Sequence, residues 1–92
     1  MSEKSLFFTK DALYKIEPPK AKRNVYRDTK DTGLILIVSY GGSKTFYLGK
    51  KTKKIYKRIK IGRFPDLTVV KARVKAAALK SQIAKGINII LL

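Results

Sequence analysis

The sequence predicts a two-layer α+β domain: a three-stranded antiparallel β-sheet packed against one C-terminal α-helix, with a short N-terminal helical turn. Three observations predict it. Between Leu34 and Ile61, β-branched and aromatic runs are separated by Gly-containing turns. From Val69 to Ile83, apolar residues recur at spacings of three and four. The chain has 92 residues, 45% of them hydrophobic, which suffices for one small core and is too apolar for a disordered basic tail. Residues 1–92 therefore read as one domain.

The N-terminal turn comes first. Thr9 is a good N-cap for Lys10 to Ile16, with Asp11 near the positive helix end. Phe8 before the cap and Leu13 within the helix have the spacing of a hydrophobic staple. Pro18-Pro19 stops the helix, because neither proline donates a backbone hydrogen bond. The basic stretch Lys20 to Asn24 reads as a loop.

Asp31-Thr32-Gly33 signals a turn into a first strand, Leu34 to Tyr40. Gly41-Gly42 supplies the positive φ of a tight hairpin, and Lys44 to Leu48 forms the second strand. The basic turn Gly49 to Lys54 leads to a third, Ile55 to Ile61. Alternation then divides the faces. Leu34, Leu36, Val38, Phe46, Leu48, Ile55, Ile59 and Ile61 point to the core, and Thr45, Tyr47, Tyr56, Arg58 and Lys60 point away. The first strand is apolar on both sides, with Ile35 and Ile37 opposite the core set.

Thr68 caps the final helix, whose Val69, Ala72, Ala76, Leu79 and Ile83 make one stripe. The alanines let its backbone come close to the sheet. Lys71, Lys75, Gln82 and Lys85 lie outward, and Gly86 stands where a helix-terminating residue belongs.

Composition narrows the chemistry. Lys and Arg number 22 against 6 acidic residues, a formal charge of +16, so the natural partners are polyanions. There is no Cys, hence no disulfide, thiolate metal site or cysteine nucleophile, and no His, the usual general base and commonest metal ligand. The expectation is therefore a non-catalytic chain with no cofactor, no metal and no small-molecule substrate. Asp28 and Asp66 are lone carboxylates suited to loop or cap roles. The apolar run Ile89 to Leu92 is far below the roughly 20 residues of a spanning helix, and no export signal opens the sequence, so a cytoplasmic protein without a membrane partner is expected.

A sheet covered on one side leaves its other face for a partner. Thr45, Tyr47, Tyr56, Arg58 and Lys60 have donors suited to base edges in a major groove, which admits a β-ribbon. Lys44, Lys50, Lys51, Lys53 and Lys54 would neutralise phosphates, fixing orientation without reading sequence. A small RNA-binding protein of ribosomal type is the alternative. Against it, the sheet lacks the aromatic pair of an RNA-recognition motif, and no Gly-X-X-Gly clamp is present. A membrane-surface helix would carry bulky residues where Ala72 and Ala76 stand.

The order Phe8-Thr9…Ala12-Leu13, Asp28…Gly33-Leu34…Val38…Gly42-Ser43-Lys44-Thr45-Phe46, Ile61-Gly62-Arg63-Phe64-Pro65-Asp66-Leu67, Ala72-Arg73 and Ile83-Ala84-Lys85-Gly86-Ile87 spans nearly the whole chain. It resembles the N-terminal arm-type DNA-binding domain of phage and genomic-island integrases, which are tyrosine recombinases. The resemblance implies the sheet-and-helix fold just derived. It also implies sequence-specific binding of double-stranded DNA at arm-type sites, within a longer integrase whose other domains and protomers are partners in integration and recombination. Family members often carry a basic residue where Ile37 stands, so no base contact is assigned to the first strand. The chain has no His and no room for the recombinase catalytic domain, so none of its tyrosines is expected to be the nucleophile.

Overall fold

Two strands precede the three expected from the sequence. The computed structural model describes residues 3–31, 33–51 and 56–84. Its elements are β1 (Glu3–Leu6), α1 (Lys10–Lys15), β2 (Arg23–Asp28), β3 (Leu34–Ser39), β4 (Lys44–Lys51), β5 (Tyr56–Phe64) and α2 (Val69–Ala84). The sheet has five strands in the order β1-β2-β3-β4-β5. β1 runs parallel to β2, and the other neighbours are antiparallel. The class remains α+β, but the three-stranded antiparallel sheet is corrected to a five-stranded mixed one. The parallel pair follows from the chain path, since α1 and the Pro18-Pro19 segment return the backbone to the same end.

Both added strands had been hidden by their polarity. The stretch expected as a basic loop runs into β2, where Arg23 pairs with Ser39 and Arg27 with Ile35. The inward-facing polar residue that spoils the alternation is Asp28, which is fully buried. Its carboxylate accepts from Arg73 Nε at 3.0 Å and from the Phe8 backbone N–H at 3.0 Å. It also accepts from the N–H groups of Lys30 and Asp31, so the turn role read for it is one part of a larger junction. Arg73 further donates to the Phe8 carbonyl at 2.9 Å, which ties α2 to both the N-terminal segment and β2. Burial raises the Asp28 pKa, but the Arg73 hydrogen bond and the donated backbone bonds outweigh it and leave the pKa below the ordinary value.

The remaining elements form for the reasons visible in the sequence. Thr9 Oγ1 accepts from the Ala12 N–H at 3.0 Å, and α1 ends at Lys15 before the prolines. Thr68 Oγ1 accepts from the Lys71 N–H, and the Thr68 carbonyl accepts from Ala72 at 2.8 Å. Gly42 turns the β3–β4 hairpin with φ +96°. Leu34 pairs with Leu48 and Leu36 with Phe46. These side chains meet Phe8, Leu13, Phe64, Val69, Ala72 and Ala76 in one core. Because Leu13 lies in that core, α1 and α2 cover the same side of the sheet. Phe46 sits between Phe8 and Phe64, with ring centroids 6.3 and 6.1 Å away. Leu79 and Ile83 of the α2 stripe are half-buried against this core, and Lys71, Lys75 and Gln82 are exposed as expected. Lys85 and Gly86 lie outside the described residues.

The third expected strand, Ile55 to Ile61, is observed as Tyr56–Phe64, with Ile55 outside the described residues. It continues through Phe64 because of a bulge. Phe46 pairs with Gly62 and Tyr47 with Lys60, leaving Ile61 as the extra residue. A one-residue insertion inverts the alternation beyond it. Phe64 consequently enters the core, and Arg63 shares the register of Thr45 on the opposite face.

Candidate nucleic-acid interface

The face away from the helices has an apolar floor. Val25, Ile35 and Ile37 are buried there, with Tyr47 packed against them. The floor accounts for the two-sided apolar character of β3, whose outer residues are covered by their neighbours on the sheet rather than by a helix. Around the floor the register places Arg23 and Arg27 from β2, Thr45 and Tyr47 from β4, and Tyr56, Arg58, Lys60 and Arg63 from β5. Tyr56, Arg58, Lys60 and Arg63 are exposed, while Thr45 and Tyr47 are half-buried. The five residues expected to read bases therefore share one face.

Their arrangement is held by close approach. A side chain at Gly49 would collide with the Tyr56 hydroxyl and the end of Ile35, so Tyr56 lies across the strand over the glycine. The Arg58 guanidinium carbon sits 5.7 Å from the Tyr56 ring centroid, a cation–π geometry that turns the charge toward the face. Glu3, and secondarily Tyr56, hold the Arg27 pKa above the ordinary arginine value. The Arg27 fork engages Glu3 of β1 with Nε to Oε1 and Nη2 to Oε2, both at 3.1 Å.

The expected phosphate contacts divide. Lys44 has the helix-side register, and its Nζ donates to the Leu13 carbonyl at 2.6 Å, near the C-terminal end of α1. Burial pulls its pKa below the ordinary lysine value. Lys44 therefore ties α1 to the sheet, apart from the cationic face. Lys50 shares the helix-side parity of Phe46 and Leu48 but is exposed, pairing with Lys57 near the far end of the β4–β5 ribbon. Lys51 closes β4 opposite Tyr56, with its side chain outside the described residues. Lys53 and Lys54 also lie outside the described residues.

Sequence reasoning missed Arg23, Arg27 and Arg63. The first two went with β2, and Arg63 follows from the bulge. Gly62 was the available signal, because Leu67 packs where its Cβ would be and the Leu67 N–H bonds the Arg63 carbonyl at 2.7 Å. Among the described residues, no three His, Cys, Asp or Glu cluster as a metal site, and no helix is long and apolar enough to cross a membrane.

Comparison with known proteins decides the family. The family model described as "Arm DNA-binding domain" matches residues 8–91. The chain belongs to this family. The arm domain is 34% identical over 73 residues to the integrase of Shigella phage Sf6, a match covering 79% of this chain and 19% of that relative. It is similar to the same extent, with the same coverage, to the prophage integrase IntS of Escherichia coli (strain K12). The arm domain thus matches about a fifth of each relative's length.

Proposed function

We propose that this arm domain grips arm-type sites in double-stranded DNA as the N-terminal module of an integrase, and that the outer face of its sheet enters the major groove. The observation that carries the reading is the convergence of Arg58, Lys60, Arg63 and Tyr56 on the one sheet face that no described helix covers. Arg58, raised on Tyr56, is the residue best suited to a bidentate contact with guanine O6 and N7. Lys60, Thr45, Tyr47 and Tyr56 contact neighbouring base edges. Arg63 and Lys50, with Lys51, Lys53 and Lys54, neutralise phosphates.

The strand-exchange chemistry of integration and recombination belongs, in this reading, to other integrase domains and protomers. The module supplies position and affinity, requires no cofactor and acts in the cytoplasm on the nucleoid. If six to ten phosphates are contacted, affinity falls by roughly 10³ to 10⁵ between 50 and 200 mM salt. Competition experiments test the partner class. A specific duplex should displace labelled arm-site DNA far better than random duplex or structured RNA does. Equal displacement by structured RNA would refute the duplex-reading geometry.

A further inference from the structure

The outer face carries one negative charge among its cations. Of the chain's six acidic residues, Asp28 is buried on the helix side and Asp31 pairs with Lys80. Asp11 lies on α1, while Glu17 and Asp66 fall between elements. Glu3 alone has a register position on the outer face, where it pairs with Val25 beside Arg27. Both partners remain accessible, with side chains 28% exposed for Arg27 and 44% for Glu3. The two parallel hydrogen bonds occupy the Nε–Nη2 edge of the guanidinium, one of its two edges able to meet a phosphate or a guanine. The hydrogen bond from Arg27 holds the Glu3 carboxyl below the usual range, and the Arg58 charge acts on it in the same direction. The pair is therefore ionised at neutral pH and solvent-accessible, the kind of ion pair that is weak enough to be exchanged.

We propose that Glu3 and Arg27 form an exchangeable latch at the β1 edge of the DNA-binding face. Arg27 is a further nucleic-acid contact through the edge that Glu3 holds, and the carboxylate must be displaced before that edge can engage. This rests on the proposed DNA-binding role of the same face. A phosphate at Arg27 has to compete with an ion pair already made, so Glu3 lowers affinity for any duplex that offers only backbone charge. A site whose other contacts fix the register pays that exchange once and retains Arg27 as an additional anchor. Glu3 is thus an affinity-tuning residue that restrains binding through backbone charge.

The test uses a random-sequence duplex as probe and measures Kd at several salt concentrations for four proteins: the unaltered chain, Glu3→Gln, Arg27→Gln and the double variant. Far-UV circular dichroism checks that each is folded. The expected result is that Glu3→Gln tightens binding about two- to fivefold at low salt, the range an exposed ion pair can withhold. Its log Kd against log salt slope should steepen by about 0.9, the release of one more counterion. Both gains should disappear when Glu3→Gln is made in the Arg27→Gln background. An equal gain in that background would overturn the latch, because Glu3 would then act only through net charge. Unchanged affinity and slope for Glu3→Gln, with the unaltered chain binding normally, would also overturn it and leave the DNA-binding reading standing. Failure of the unaltered chain to bind duplex DNA would reject that reading and the latch together.

Discussion

The two faces of this sheet bury apolar side chains by different means. On the helix side, Leu34, Leu36, Phe46 and Leu48 are covered by α1 and α2, and the polar junction of Asp28 with Arg73 is fully enclosed at its carboxylate. On the outer side, Val25, Ile35 and Ile37 are covered by Tyr47 and the surrounding sheet residues, while the charges stay at the surface. A buried charge pair secures the fold, and exposed charges remain available to a partner. Stability and binding should therefore separate by face.

The largest expected effect tests the helix side. Asp28→Ala leaves Arg73 without its carboxylate, and loss of one partner from a buried pair costs about 3–5 kcal/mol. Chemical denaturation measures this directly, and a cost below about 1 kcal/mol would contradict the enclosed junction. The same pair sets an acid limit. Because the folded pKa of Asp28 lies below its ordinary 3.8, its stabilisation is present above that pH and is lost as pH falls through the folded value. Asp28→Asn should flatten this part of the stability profile.

Ala76→Leu is the next in size. Ala76 is fully buried where α2 meets the sheet, and overpacking there should cost about 1–3 kcal/mol of folding stability. On the other face, Arg58→Ala should cost about 1–3 kcal/mol of binding to an arm-type duplex and relax sequence preference. Its folding stability should change by no more than about 0.5 kcal/mol. A large stability loss at Arg58 would erase the distinction between the faces.

The smallest effect sharpens the distinction within one residue type. Lys50→Ala should reduce the salt slope of DNA binding by about one unit. Lys44→Met should leave that slope unchanged and instead lower stability by about 1 kcal/mol through the lost bond to Leu13. Parallel salt titrations of the two variants measure the difference.

The legible parts of the molecule were those where local chemistry and tertiary demand agree. Thr9 and Thr68 cap helices, Gly42 turns a hairpin, and Val69, Ala72 and Ala76 face the core, each by a rule that acts over a few residues. The central strands were legible for the same reason. β1 and β2 were not, because Asp28 is made compatible with burial by Arg73, 45 residues away in sequence. No local pattern carries that compensation. The site was readable in its centre, where Tyr47, Tyr56, Arg58 and Lys60 follow simple alternation. It was unreadable where a bulge inverts the period at Arg63, whereas Lys44 was misassigned although its parity with Phe46 already puts it on the helix side.

The most direct measurement of the central claim is amide chemical-shift mapping during titration with an arm-type duplex. The largest perturbations should fall on Thr45, Tyr47, Tyr56, Arg58, Lys60 and Arg63, with smaller ones reaching Arg27. Shifts confined to Lys71, Lys75 and their neighbours on the solvent side of α2, with the sheet residues unmoved, would show that the duplex docks on the helical layer instead.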